Sequence, residues 1–173
     1  MRSINTSMVL VLVGALLGGC GGGKKKPGAS HPATLAEMFA APTQVVTMPR
    51  PLGAVRLGMA IDDVHAAAPV LGGMNIYSPP KLPGVKVMLI TMGERRLNDV
   101  IIELPADAVT TLEKSWGPPQ RRQPASGGTG EVMLWSNAEQ SLEALWMPTP
   151  GQPSGSLDIG KLGTLSQLIP PAP

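Results

Sequence analysis

Cysteine is nearly missing from this chain. There is one, Cys20, so no intramolecular disulfide can form. Only two histidines are present, His31 and His65. A zinc site would therefore need carboxylate ligands, and no ligand spacing suggests one, so no metal is expected. Aromatic residues number five (Phe39, Tyr77, Trp116, Trp135 and Trp146), which leaves the core to Leu, Val, Ile and Met. Charged residues make up 15% of the chain, against a usual ~25%. They form no clustered basic face of the kind nucleic acids require. Arg95-Arg96 and Arg121-Arg122 are short pairs expected in turns or loops. The apolar run over residues 8–17 has ten residues. It would rise about 15 Å as a helix, half of a ~30 Å hydrocarbon core, too little for a membrane span.

Glycine (21), proline (19) and methionine (10) are plentiful among the 173 residues. The N-terminus is the most informative stretch. Arg2 precedes the apolar run Met-Val-Leu-Val-Leu-Val-Gly-Ala-Leu-Leu, which fits a secretory signal segment over residues 1–19. It ends in Leu17-Gly18-Gly19-Cys20. This resembles the lipobox of bacterial lipoproteins: an aliphatic residue, two small residues, then the modified cysteine. The resemblance implies cleavage between Gly19 and Cys20, diacylglycerol on the Cys20 thiol and an N-acyl chain such as palmitate on the new terminus. More than one chain is needed for stable anchoring, at about 0.8 kcal/mol per buried CH2. No other cofactor is expected. Gly21 stands where an Asp marks inner-membrane retention in enterobacteria, so the resemblance implies an outer-membrane anchor with the module facing the periplasm.

Residues 20–52 read as the lipidated N-terminus and a disordered tether. Gly21-Gly22-Gly23 is followed by Lys24, Lys25 and Lys26, then by a stretch rich in Pro, Ala, Ser and Thr. Such composition buries too little apolar surface to offset chain ordering. Residues 35–41 could form two helical turns before Pro42. The three lysines are spacer charge or contacts to anionic headgroups. They also dominate the charge balance. The whole chain has 14 basic and 12 acidic residues; without Arg2 and Lys24–26 the count is 10 against 12, a net −2.

Periodicity begins near Gly53 and predicts one folded module over residues 53–169, with 170–173 as a tail. A helix is expected over 60–68, with Ile61, Val64 and Ala68 on one face. Asp62 and Asp63 fall in its first turn, where negative charge suits the macrodipole. A short strand is expected at 74–77. Two runs, 85–92 and 97–104, flank Gly93-Glu94-Arg95-Arg96 as a hairpin. Val100, Ile102 and Leu104 alternate with Asp99 and Glu103, as in a half-buried antiparallel strand. A second helix is expected over 106–116, closed by Gly117 and Pro118-Pro119. A second hairpin follows, 131–136 and 140–147, with an edge strand at 156–159 and a last helical turn within 162–169. The expected class is α+β, with helices packed on one face of an antiparallel sheet and two helix-plus-hairpin repeats.

The stretch Leu57-Gly58-Met59-Ala60-Ile61-Asp62-Asp63-Val64 resembles the Gly-Met-Thr/Ser start of small envelope lipoproteins of the SmpA/OmlA (BamE-like) group and the related β-lactamase-inhibitor-like fold. Leu112 to Pro118 (LEKSWGP) is similar to a second segment of such modules. Ala60 stands where that pattern has Ser or Thr, and it cannot cap the helix. The resemblance implies a helix followed by an antiparallel sheet.

No constellation for catalysis emerges. Asp62, Asp63 and His65 are the densest polar group, without a neighbouring nucleophile. Ser115-Trp116-Gly117 and Ser126-Gly127-Gly128 lack the nucleophile-elbow pattern. Gly127-Gly128-Thr129-Gly130 precedes a strand, where a phosphate cradle needs a helix. Trp116, Trp135 and Trp146 are either core anchors or partner-binding residues. The sequence therefore suggests a non-enzymatic, lipid-anchored envelope protein that binds or scaffolds an envelope partner. The alternatives are an inhibitor or sensor of an envelope enzyme, or a hydrolase with a scattered site.

Overall fold

The computed structural model describes residues 31–126 and 129–169. Cys20, the signal segment, Lys24–26, Gly127, Gly128 and the tail lie outside the described residues.

Seven strands dominate: β1 (Ile76–Tyr77), β2 (Lys86–Met92), β3 (Arg96–Pro105), β4 (Arg121–Pro124), β5 (Glu131–Asn137), β6 (Leu142–Pro148) and β7 (Ser154–Lys161). They form one continuous sheet in the order β1-β2-β3-β7-β6-β5-β4, with every neighbouring pair antiparallel. The helices are α1 (Leu35–Met38), α2 (Ile61–Ala67) and α3 (Ala108–Trp116), with 3-10 turns at Pro69–Leu71 and Leu165–Leu168.

The expected α+β class, with helices layered on one sheet face in two helix-plus-hairpin repeats, is overturned. The helices have 4, 7 and 9 residues, too short to tile a seven-stranded sheet. Two strands account for the difference. The segment expected as an edge strand is β7, and it pairs with both β3 and β6, at the centre. Ile102, Leu157, Trp146 and Met133 thus form one cross-strand row. Arg121-Arg122, expected in a turn or loop, opens β4, which pairs with β5 at the sheet edge. Its side chains alternate between half-buried and exposed, and the mostly polar sequence hides that alternation.

The tether expected through Leu52 also needs correction for residues 31–52. Met38, Phe39, Val46, Met48 and Leu52 are buried in the main core. Arg50 N–H donates to the Met38 carbonyl at 2.8 Å, and the buried Asn137 amide donates to the Val46 carbonyl at 2.8 Å. These apolar residues have no helical or strand period, so burial could not be read from spacing. Met38 belongs to α1, and the others cover the core as irregular chain. Their counterparts on the sheet are Val87, Leu97, Val100, Ile102, Ala144 and Ile159.

Helix α2 starts one residue after Ala60, which makes no side-chain cap bond. Asp62 and Asp63 occupy its first turn as expected. Gly58 (φ +85°) lets the chain turn before it. Gly58 N–H donates to the Leu97 carbonyl at 2.7 Å, and Leu97 N–H donates to the Met59 carbonyl at 2.9 Å. The Gly-Met turn is thereby stitched to the start of β3.

Candidate functional site

All three tryptophans are buried. Trp135 is 1% exposed, and Trp116 and Trp146 are 3% exposed. They form no partner-binding surface. Phe39 meets Trp116 edge-on at 5.5 Å, and Trp116 meets Trp135 edge-on at 6.0 Å. Trp135 Nε1 donates to the Gly117 carbonyl at 2.9 Å. Trp146 lies in the Ile102–Leu157 row. In a chain with five aromatics, the largest rings went where they bury most area.

Asp62, Asp63 and His65 are likewise not drawn into a reactive group. Asp62 faces Arg95 at 3.7 Å on the surface, and His65 Nε2 lies 3.2 Å from the Asn75 amide oxygen. His31 is exposed, but its Nδ1 lies 2.7 Å from the Tyr77 hydroxyl and its ring stacks on Tyr77. Burial raises the Tyr77 phenol above its ordinary value. Among the described residues, no group of three or more His, Cys, Asp or Glu side chains comes together as a metal site. No described helix is long and apolar enough to cross a membrane.

Two surfaces stand out instead, and neither was legible as a site. The first is a cavity of about 410 Å³ at the end of the sheet where β3 and β6 begin and β7 ends. Its cations are Arg56, Arg96 and Lys161; no carboxylate lines it. Arg56 Nη1 donates to the Gly53 and Val55 carbonyls, each at 2.8 Å. Arg96 Nη1 donates to the Gly58 carbonyl at 3.0 Å, and its Nε lies 3.5 Å from the exposed Glu94 carboxylate. The apolar side is built from Met48, Val55, Leu57, Leu97 and Leu142. The cations and apolar residues of the cavity come from five separate stretches of chain, which is why no motif announced them.

The second is an apolar strip on the opposite sheet face. Ile76 pairs with Met88, and Met88 with Ile101. Ile76 is 51% exposed and the nearby Met74 63%. Further along this face a second small core, Leu134, Leu145, Leu165 and Ile169, is capped by the Leu165–Leu168 turn. The buried Glu143 carboxylate accepts Leu165 N–H at 3.0 Å and Ser166 N–H at 3.1 Å. Between strip and cap lies Asp158. Burial, and then the nearby Asp99 carboxylate, push it up to about 6. Its Oδ1 is buried without a hydrogen-bond partner among the described residues.

No protein-family pattern matches the sequence, and no curated protein does. A solved structure with some similarity is the crystal structure of a DUF4309 family protein (YjgB) from Bacillus subtilis. The match has 12% identity and a TM-score of 0.38, covering 73% of this chain and 95% of that one. A TM-score this low does not establish a shared fold.

Proposed function

We propose that this chain is a lipid-anchored lipoprotein of the bacterial envelope whose folded module binds or scaffolds another envelope protein, without catalysis of its own. The observation that carries the anchor is Leu17-Gly18-Gly19-Cys20 behind a ten-residue apolar run, with the sole cysteine at the modified position. Ten residues separate Cys20 from His31. Even fully extended they span about 35 Å at most. The module therefore works close to the membrane, on a leash much shorter than one running to Leu52. The strip of exposed Ile76 on the edge strand and half-buried Met88 and Ile101 beside it supports the binding half of the reading, since apolar surface at a sheet edge suits partner contact.

Metabolic labelling with an alkyne analogue of palmitate tests the anchor. The wild-type chain should label and sediment with membranes, and the Cys20→Ser form should do neither. Equal labelling of both forms, or of neither, overturns the anchor. A photo-crosslinker placed at Ile76 tests the strip. A discrete cross-linked protein lost in Met88→Lys supports it; cross-linking unchanged by that substitution defeats it.

A further inference from the structure

The cavity at the end of the sheet has features that a protein-binding face does not require. It is concave and about 410 Å³ in volume. Small-molecule sites run from roughly 300 to 1,000 Å³, whereas protein partners bury broad surfaces of about 800 Å² each. Its lining combines three cations, Arg56, Arg96 and Lys161, with apolar side chains. Arg56 and Lys161 make no ion pair with any described carboxylate, and Arg96 meets only Glu94, which is 86% exposed. Arg56 is held by two carbonyls through Nη1, and its Nη2 and Nε make no hydrogen bond among the described residues. A planar fork held this way suits carboxylate or phosphate oxygens. Met48 and Met92 add flexible, adaptable walls. The chain cannot supply the counter-charge from its own N-terminus by side chains, because the first acidic residue is Glu37.

We infer that this cavity binds a single-chain anionic amphiphile. A phosphate or carboxylate head sits among Arg56, Arg96 and Lys161, and an apolar chain lies against Leu57, Leu97 and Leu142. The cavity volume is of the order needed for one chain of about a dozen carbons. This inference goes beyond the partner-binding reading. The cavity opens at the sheet end, and the strip of Met88 and Ile101 belongs to the opposite face.

Calorimetric titration of the full-length Cys20→Ser chain, which carries no acyl group of its own, tests the inference below the critical micelle concentration of each probe. The probes are dodecyl phosphate, laurate, dodecyltrimethylammonium and inorganic phosphate. Saturable one-to-one binding of dodecyl phosphate or laurate is expected, at least tenfold tighter than the other two. Phosphate-selective or carboxylate-selective binding would each support the inference and name the head. The pair of substitutions Arg56→Gln and Lys161→Gln, both at exposed side chains, should weaken binding at least tenfold with the thermal midpoint unchanged. Leu57→Asp should weaken it through the apolar wall, while Met88→Lys should leave it intact. Equal affinity for dodecyltrimethylammonium, binding of inorganic phosphate as tight as that of the amphiphiles, or indifference to the Arg56/Lys161 pair would overturn it. Loss of binding in Met88→Lys would also count against it.

Discussion

The indole of Trp146 lies across Gly155, so that a β-carbon on Gly155 would overlap the ring and stand 2.7 Å from the Met147 carbonyl oxygen. The two residues sit on neighbouring strands, Trp146 on β6 and Gly155 on β7. Glycine here is a matter of space, since its φ is unremarkable. Without it, this indole has no flat place to lie. Gly155→Ala should therefore destabilise the fold by about 1–3 kcal/mol through overpacking. Chemical denaturation of the variant reads this directly, and Gly155→Ala in a Trp146→Leu background should cost much less.

Two buried tryptophans should respond differently to the same substitution. Trp135 Nε1 has a partner in the Gly117 carbonyl, whereas Trp116 Nε1 is buried without one among the described residues. Trp135→Phe strands a carbonyl acceptor; Trp116→Phe removes an unpaired donor. The first should cost more than the second by about 1 kcal/mol. Urea midpoints of the two variants provide the comparison.

Residues 31–52 should behave as part of the fold. Phe39→Ala opens a cavity beside Trp116 and should destabilise by about 3–5 kcal/mol. Asn137→Ala leaves the Val46 carbonyl unpaired, at about 1–3 kcal/mol. Hydrogen exchange should show the Arg50 amide protected through its bond to Met38. Rapid exchange there, with no cost for Phe39→Ala, would restore this segment to a tether.

Asp158 predicts a pH dependence. Its carboxyl titrates near 6 in the fold, above the ordinary value of 3.8, because burial and then Asp99 disfavour its charge. The folded state thus holds this proton to higher pH than the unfolded chain does. Its contribution falls as pH rises from about 4 to about 6 and stays unfavourable above that. Asp158→Asn should stabilise by about 1 kcal/mol at pH 7–8, partial exposure screening the rest, and give no gain below pH 4. A gain that is flat across pH would assign the effect to shape instead of charge.

Glu143 fastens the C-terminal turn. Its carboxylate accepts both Leu165 and Ser166 amides. Glu143→Ala should release that turn and uncover Leu134 and Leu145, at about 1–3 kcal/mol. Limited proteolysis near Leu168 should accelerate before the rest of the fold opens.

Local periodicity carried a good deal of the architecture. The alternation of Val100, Ile102 and Leu104 with Asp99 and Glu103 predicted β3, and these three are buried there together with Leu97. Ile61 and Val64 predicted the inward face of α2. Such patterns need only neighbours within one element. What lacked a period was misread. Met38, Phe39, Val46 and Leu52 lie among prolines and threonines, and composition alone made them look like linker. The sequence Arg-Arg-Gln-Pro carries no apolar alternation, yet it pairs as β4. The edge strand expected at 156–159 is the longer central β7, in which Gly155 lies under a ring supplied by β6.

By itself, then, the amino-acid sequence determined the periodic local elements and the expectation of a lipid anchor at Cys20, because both depend on contiguous residues. Only the tertiary structure decided that a single seven-stranded sheet, not helices layered on hairpins, organises the chain. It alone buried the three tryptophans and gathered Arg56, Arg96 and Lys161 around one cavity. Those outcomes depend on long-range strand pairing, which brings together side chains that no spacing along the chain relates.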